Sequence, residues 1–500
     1  MQTAAQISHR KGENKMKKLF MVCNAHLDPV WLWNWQEGAA AAIATFRTAA
    51  DICEESEGFV FCHNEALLYS WVEEYEPALF QRIRRLVEAK KWHIMGGWYL
   101  QPDCNLPSGE SILRQIIAGK RYFMEKFHAA PTVAVNFDTF GHSRGLVQIL
   151  RKCGYTGYLF MRPGKELLEL PSRNIRWRGF DGSEILAHRL DCSYGSAMGH
   201  AAQDAESWCR DEASESISLF TWGVGNHGGG PSRRDVAELD RWIHAQPQIQ
   251  AVHSTPEAFF QALEDESVDA PVFAGDLRPV FVGCYTAQAR VKQLHRELEN
   301  HLFAAEKLLT AAAVQGLTAY PSAQLHEAEQ DLLFAEFHDI LPGTTIQECE
   351  ADSIGVLQHG LTTVSRLLVH GREIAVGRDR QDAAVLFRKS GDIFLREVDH
   401  EFLGHGIGQT RAEKFLLITS GFPCKRQPTV RKIRRIPRFK GLRPFVRLRH
   451  GVGCYGREID HHAALGQSRI ERLDHIDRTD RIDFIAIFNN TAEAFTFEKK

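Results

Sequence analysis

From residue 19 to about 265, short runs rich in β-branched and aromatic residues alternate with longer amphipathic stretches. The runs Leu19–Cys23, Phe59–Cys62, His93–Met95, Thr132–Phe137, Gly157–Met161, Glu184–Arg189 and Ile217–Trp222 read as strands. Strand then helix, repeated, predicts an α/β fold with mainly parallel strands, as a sheet or an irregular barrel. One helix is legible in detail. Ser108 follows Pro107 as N-cap, Glu110 lies in the first turn, and Ile112, Ile116, Phe123 and Phe127 recur at helical spacing.

From about 287 to 372 the period becomes that of long helices. Val291, Leu294, Leu298, Leu302, Ala305 and Leu309 form one apolar stripe, Leu325, Leu332 and Ala335 a second, and Ile354, Leu357, Leu361, Val364 and Leu368 a third. Three stripes predict a three-helix bundle. Its second helix is expected to stop after His338-Asp339, because Pro342-Gly343 removes a backbone donor and then breaks the helix. The expected division is a structureless leader (1–15, with Met16 as an alternative start), an α/β domain (16–270), a three-helix bundle (271–372) and an irregular basic tail (373–500).

With 500 residues, 44% of them hydrophobic and 25% charged, the chain has ordinary globular composition, which excludes wholesale disorder. Acids and bases nearly cancel, yet unevenly: residues 1–370 carry 34 basic against 46 acidic side chains, and residues 371–500 carry 26 against 17. Segment 421–450 has eleven Lys/Arg and no acid. The basic run 425–449 reads first as a solvated tail and second as a nucleic-acid contact, so no nucleic-acid partner is expected. Eleven cysteines, an odd number without a CxxC pair, fit a reducing cytoplasm better than a disulfide framework. No apolar stretch of about 18 residues is present for a membrane span, and the leader makes a poor signal peptide.

A parallel sheet collects its site at the carboxyl ends of its strands. His26-Leu27-Asp28 follow the first strand, Asp138 and Phe140-Gly141-His142 follow Thr132–Phe137, Arg162 follows Gly157–Met161, and a run from Gly223 through His227 to Gly230 follows Ile217–Trp222. His-x-Asp on an extended segment directs one nitrogen and one oxygen ligand to the same side, as a borderline divalent metal requires. With Asp138 at another strand end and His338-Asp339 beside the bundle, the set offers two histidines and two aspartates.

The runs NAHLDPVWLW (24–33), NFDTFGHS (136–143), GVGNHGGGP (223–231), GCYTAQARVKQ (283–293) and EFHDILPGT (336–344), in this order, resemble the family 38 glycoside hydrolases, the retaining α-mannosidases, particularly bacterial members. The resemblance covers about residues 16–372. It implies an α/β catalytic domain, a three-helix bundle and then large β domains. It also implies hydrolysis of terminal α-linked mannose from mannose-containing oligosaccharides, with one Zn²⁺ per chain.

Carried over residue by residue, it makes His26, Asp28, Asp138 and His338 zinc ligands and Asp138 also the nucleophile. Trp31 becomes the residue that stacks on the sugar, Phe140 a pocket wall, and Asp339 a holder of a mannose hydroxyl or of a neighbouring ligand. Arg162 is expected beside the nucleophile, with a surface salt bridge as the alternative. Trp33 and Trp35 read as core packing and His142 as structural. Eukaryotic members carry a carboxylate acid/base where this chain has His227; an imidazole, titrating at about 6.5 in model peptides, can do the same work. Asp103 and Asp235 are rivals for that role.

Two further expectations come from the C-terminal part. Residues 482–494 faintly resemble the strand that opens the first β domain, whereas the basic segment before them matches nothing in the family, which suggests a disturbed reading frame between 375 and 481 or a truncated gene. A bundle without its β domains would expose apolar surface and favour instability or homo-oligomers. The alternative readings are an inactive mannosidase remnant and a metal-dependent polysaccharide deacetylase, in which Asp138 would be a base and form no covalent adduct.

Overall fold

In the computed structural model residues 16–212, 215–225, 229–277, 280–377, 484–488 and 491–495 are described. The chain divides into two units, residues 1–420 and 421–500. The described strands of the first unit are β1 (Lys17–Asn24), β2 (Phe61–His63), β3 (Trp92–Ile94), β4 (Val133–Asn136), β5 (Gly157–Phe160), β6 (Asn174–Arg178), β7 (Glu184–Arg189), β8 (Ile217–Trp222), β9 (Ile249–His253) and β10 (Val272–Phe273). Its helices are α1 (Trp35–Glu55), α2 (Ala66–Tyr75), α3 (Pro77–Glu88), α4 (Gly109–Phe127), α5 (Leu146–Lys152), α6 (Ala201–Asp211), α7 (Arg233–His244), α8 (Pro256–Asp265), α9 (Ala289–Val314), α10 (Ser322–Ala335) and α11 (Gln347–Gly377).

The expected α/β arrangement is present as two sheets. One runs β3-β2-β1-β8, with β9 also paired to β1, and is parallel throughout; the other runs β10-β6-β7-β5-β4, with only β6 and β7 antiparallel. No ladder joins the two sheets among the described strands. An apolar layer does: Val22, Cys62, Val135, Leu159, Leu186 and Leu219 come from both sheets and meet in one buried cluster. Burial of such side chains, at about 25 cal/mol per Å² of apolar surface, holds the sheets together where no backbone ladder does.

All seven expected strands form. Three more, β6, β9 and β10, were not anticipated. In β6 the buried Ile175 and Trp177 alternate with the exposed Arg176 and Arg178, so its pattern of inward and outward residues is clear only once the strand is known. Ser108 caps α4 as expected, accepting a hydrogen bond from Ser111 N.

Helices α9, α10 and α11 pack together through the three predicted stripes, with Val291, Leu298, Leu302, Leu325, Leu332, Leu357 and Val364 buried in one core shared with the first sheet. One boundary differs. α10 ends at Ala335 rather than after His338-Asp339, because the next residues pair with 101–103: Asp103 N donates to Glu336 O and His338 N to Gln101 O. A backbone partner outside the helix competes with the helical one, and tertiary context decides.

The second unit contains one described hairpin, β11 (Phe484–Phe488) antiparallel to β12 (Thr491–Phe495). The expectations about the basic run 425–449 and the disturbed segment 375–481 lie outside the described residues, except for the end of α11 at Gly377.

Candidate active site

Past Asn24, β1 leaves the sheet in an extended turn. Leu27 is buried, and the flanking His26 and Asp28, also buried, share the opposite side. Trp33 Nε1 donates to Asp28 O at 2.9 Å, fastening the turn. Asp138 stands two residues beyond β4, and His338 three beyond α10. These segments, more than 100 residues apart in sequence, converge. His26 Nε2 is 2.9 Å from Asp28 Oδ1 and 3.8 Å from Asp138 Oδ2; His338 Nε2 is 3.6 Å from Asp28 Oδ1 and 3.8 Å from Asp138 Oδ2.

The hydrogen-bond accounting separates this cluster from an ordinary buried ion pair. His26 Nε2, Asp28 Oδ1 and His338 Nε2 crowd together, yet none makes a hydrogen bond of acceptable angle among the described residues, although each is fully buried. His338 Nδ1 lies 3.0 Å from Gln101 O, which can only accept, so Nδ1 keeps its proton and Nε2 is the nitrogen that faces the cluster, free to bind a cation once its own proton is displaced. Buried polar atoms left unsatisfied are costly, and three of them directed at one point suit a cation. His26, Asp28 and His338 form a set that could hold a metal ion, with ligand atoms within 4.8 Å of one another.

The electrostatics agree with the geometry. Burial alone would lower the His338 pKa, yet attraction to Asp28, Asp339 and Asp138 outweighs it and pushes it up to about 10. His26 is also raised, burial again being outweighed by Asp28. Burial would raise Asp28, but the two imidazoles hold it below the usual carboxylate range. The cluster therefore favours positive charge.

Arg162 grips Asp138 twice: Nη2 lies 2.6 Å from Oδ1, and Nη1 donates to the Asp138 carbonyl at 3.0 Å. Its side chain is only 13% exposed, so this is no surface salt bridge. The guanidinium lies 5.9 Å from the Phe140 ring and 5.3 Å from the Phe281 ring. Phe140 is buried and its ring centroid is 6.4 Å from that of His338. Behind Arg162, His142 Nε2 donates to the Arg162 carbonyl at 2.9 Å, so its Nδ1 accepts from Tyr158 Oη at 2.7 Å. Burial lowers this histidine to about 3, as suits a neutral structural residue.

Trp31 is half-buried, edge-on to Trp33 with ring centroids 5.4 Å apart, and its carbonyl accepts from Ile346 N. Trp35 packs against Trp71 at 6.1 Å. Asp339 Oδ2 lies 3.8 Å from His338 Nε2, while burial, reinforced by Asp28 and Asp138, raises its carboxyl to about 7.

Both rivals for the acid/base accept hydrogen bonds from backbone amides. Asp103 Oδ1 accepts from Asn105 N and Leu106 N, and the Asp235 carboxylate accepts from Gly199 N and Ala201 N. His227 lies outside the described residues. The start of its loop runs beside β1: a Cβ on Gly223 would come within 2.1 Å of Asn24 O, and one on Gly225 within 3.3 Å of His26 N.

Three participants escaped the sequence reading. The Tyr194 ring packs on His26, with centroids 4.7 Å apart, and its hydroxyl is raised by burial and by Asp138 and Asp28. It lies five residues past the end of β7, beyond the first few positions in which the sequence shows chemistry at the other strand ends. Gln101 and Glu65 sit behind the cluster and carry no motif.

Fold and site together define an α/β domain with a metal-capable His/Asp centre at its strand ends, backed by a helical bundle. Residues 16–276 match the profile of the Glycosyl hydrolases family 38 N-terminal domain, and residues 280–372 that of the Alpha mannosidase middle domain. The chain belongs to glycosyl hydrolase family 38. It is similar to Alpha-mannosidase 2C1 of Homo sapiens, 29% identical over 373 residues covering 72% of this chain and 36% of that protein. It is also similar to Alpha-mannosidase of Saccharomyces cerevisiae, 26% identical over 356 residues, 68% of this chain and 33% of that protein. Among solved structures, an alpha-mannosidase from Enterococcus faecalis V583 shares the fold with a TM-score of 0.65 at 19% identity, over 72% of this chain and 43% of that one. The chain spans about a third of the length of the curated relatives it matches.

Proposed function

We propose that this chain is a zinc-dependent retaining exo-α-mannosidase that removes terminal α-linked mannose from oligosaccharides. The observation that carries the reading is the convergence of His26, Asp28, Asp138 and His338, with three unsatisfied buried atoms facing one another and the Asp138 carboxylate gripped by Arg162. On this reading residues 16–270 are the catalytic domain and 271–372 the bundle that delivers His338 and Asp339. Two imidazole nitrogens with carboxylate oxygens form a donor set suited to Zn²⁺. When bound, Zn²⁺ would add positive charge beside Asp138 and hold the vicinal hydroxyls of mannose.

The residues then divide the work. Trp31 stacks on the apolar face of the sugar and Phe140 walls the pocket, so the ring presents its anomeric carbon to Asp138. Asp339 holds a hydroxyl. The Asp138 carboxylate attacks the anomeric carbon and the bond to the leaving oxygen breaks, that oxygen taking a proton from the acid/base, for which His227 is our candidate. Water then attacks the same carbon, giving its proton to that group, and the bond to Asp138 breaks. Two inversions give retention. Arg162 keeps Asp138 oriented in both steps.

The nine cysteines among the described residues are all free, which supports our placement of the enzyme in the cytoplasm; no described helix is long and apolar enough to cross a membrane. The test is hydrolysis of an aryl α-mannoside by the 500-residue chain, with Zn²⁺ content measured on the same sample and Asp138→Asn as control. Turnover that tracks zinc and disappears in the variant is expected, as is a covalent adduct on Asp138 with a fluoromannosyl inactivator. Turnover unaffected by Asp138→Asn would sink the reading.

A further inference from the structure

The ligands of the proposed centre come from chain segments near residues 26, 138 and 338, and something must keep the last two in register. Gln101 touches both. Its backbone carbonyl accepts from His338 N at 3.2 Å and from His338 Nδ1 at 3.0 Å. Its side-chain Oε1 accepts from Phe137 N at 3.1 Å, the peptide immediately before Asp138. Its own N and Nε2 both donate to Glu65 Oε1, each at 3.2 Å. Gln101 is 1% exposed and Glu65 fully buried.

This arrangement is directional. Rotating the amide by half a turn would set Nε2 against the Phe137 N–H and Oε1 against the Glu65 carboxylate, both repulsive. A glutamate in place of Gln101 would oppose two carboxylates, and an apolar residue would leave the Phe137 N–H unsatisfied in the core and Glu65 with the Gln101 backbone N as its one remaining donor from this residue. Glu65 itself sits at φ +69°, ψ +90°, a backbone conformation that a side chain disfavours. Strain of this kind persists where the surroundings over-determine it, and here Gln101 supplies two donors to the carboxylate while Ala66 N donates to Trp98 O.

We propose that Gln101, clamped by Glu65, is a positioning residue for the metal centre: it joins the His338 imidazole and the Asp138 segment through one side chain and one carbonyl, and so sets the distance between them. The inference rests on the metal-site reading above. Outer partners of ligating histidines fix tautomer and ring orientation, and their loss typically costs about 10- to 100-fold in metal affinity.

The experiment measures Zn²⁺ affinity by chelator competition, and the visible bands of the Co²⁺-loaded protein, on the full chain and on Gln101→Leu and Gln101→Asn. The leucine variant keeps the backbone carbonyl but loses the link to Phe137; the asparagine variant keeps the amide but is one methylene too short. Both are expected to bind Zn²⁺ about 10- to 100-fold more weakly, with shifted Co²⁺ bands, at unchanged far-ultraviolet dichroism. A merely structural glutamine would lower the melting temperature and leave affinity and bands alone, which would overturn the proposal. Should the leucine variant not fold, the asparagine variant decides by the same criterion. A wild-type chain that takes up no Zn²⁺ overturns the site reading and this inference together. A wild-type chain that binds metal without hydrolysing mannosides removes the functional reading alone, and the variants still decide the role of Gln101.

Discussion

Two buried clusters in this chain have nearly the same composition and opposite characters. His26, Asp28 and His338 form one; His295, Glu299 and Glu336 form the other, and in each the candidate ligand atoms lie within 4.8 Å of one another. In the second every carboxylate oxygen is used. Glu299 Oε1 accepts from Ser108 N at 2.7 Å and Ser111 Oγ at 2.6 Å, and its Oε2 pairs with Arg296. Glu336 Oε1 meets His295 Nε2 at 3.1 Å, and its Oε2 accepts from Gln115 Nε2 at 3.0 Å. That cluster sews α9 to the start of α4 and to the segment after α10. Proximity of ligating residue types is therefore a poor mark of a site, whereas atoms left unsatisfied at its centre are a good one.

The comparison is sharpest when one histidine is removed from each. His26→Ala should weaken Zn²⁺ binding on the order of 100- to 1,000-fold, roughly a quarter of the ~10–16 kcal/mol that four-ligand zinc sites supply. His295→Ala should leave Zn²⁺ affinity alone and cost about 1–3 kcal/mol of stability, since Glu336 loses a partner in the core. Chelator competition and denaturant titration on both variants measure this. Equal losses of metal in the two would dissolve the distinction.

Three buried histidines outside the centre are shifted in the opposite direction, which gives the next effect. Burial lowers His63, His142 and His188 to about 3, whereas His26 and His338 are raised. A lowered folded pKa means that the unfolded chain binds the proton first, so stability is lost as pH falls below about 6.5 and continues to fall toward 3. Each of the three should cost about 1 kcal/mol between pH 6.5 and 5.5, approaching about 1.4 kcal/mol per further unit. Chemical denaturation across that range should show the slope and His142→Gln should reduce it; an unchanged slope would contradict the burial argument. The raised pair follows the opposite rule: its contribution in the metal-free chain is full below about 6.5 and lost as pH rises toward the folded pKa, about 10 for His338.

Arg162→Lys isolates the grip on Asp138. A lysine cannot span both the carboxylate and the Asp138 carbonyl, so kcat/KM should fall by about 1.5–3 kcal/mol, on the order of 10- to 100-fold, with little change in Zn²⁺ affinity. Loss of metal in step with activity would mean that Arg162 serves the cluster and not the nucleophile.

Legibility followed range in sequence. Local periodicity found all seven strands it claimed and the three stripes of the bundle, and polar residues just past strand ends led to His26, Asp28, Asp138 and Arg162. His338 came from its motif beside the helix break, although the helix stops earlier because residues 336–338 pair with 101–103. Gln101 and Glu65 were invisible for the same reason: their partners lie 36 and more positions away, and three of the five bonds of Gln101 run through its backbone. Tyr194 was accessible in principle, since it follows a strand that had been recognised.

The smallest effect concerns Trp33, which shares strand parity with Trp31 and read as core. Its ring is half-buried, and its Nε1 donates to the carbonyl of Asp28 at 2.9 Å while its backbone carbonyl accepts from Trp31 N at 3.1 Å. One residue thus ties the turn at Asp28 to Trp31, by its side chain to the first and by its carbonyl to the second. Trp33→Phe keeps the apolar ring and deletes the single donor, so the expected loss is that of one neutral hydrogen bond, about 1 kcal/mol or roughly fivefold. If the bond serves the cluster, that loss appears in Zn²⁺ affinity, because Asp28 gains freedom. If it serves Trp31, it appears in KM with affinity intact, because on the proposed function that ring stacks on the sugar. Measuring both on one variant assigns the bond to the region it supports, and a change in neither would leave Trp33 as the packing residue its spacing suggested.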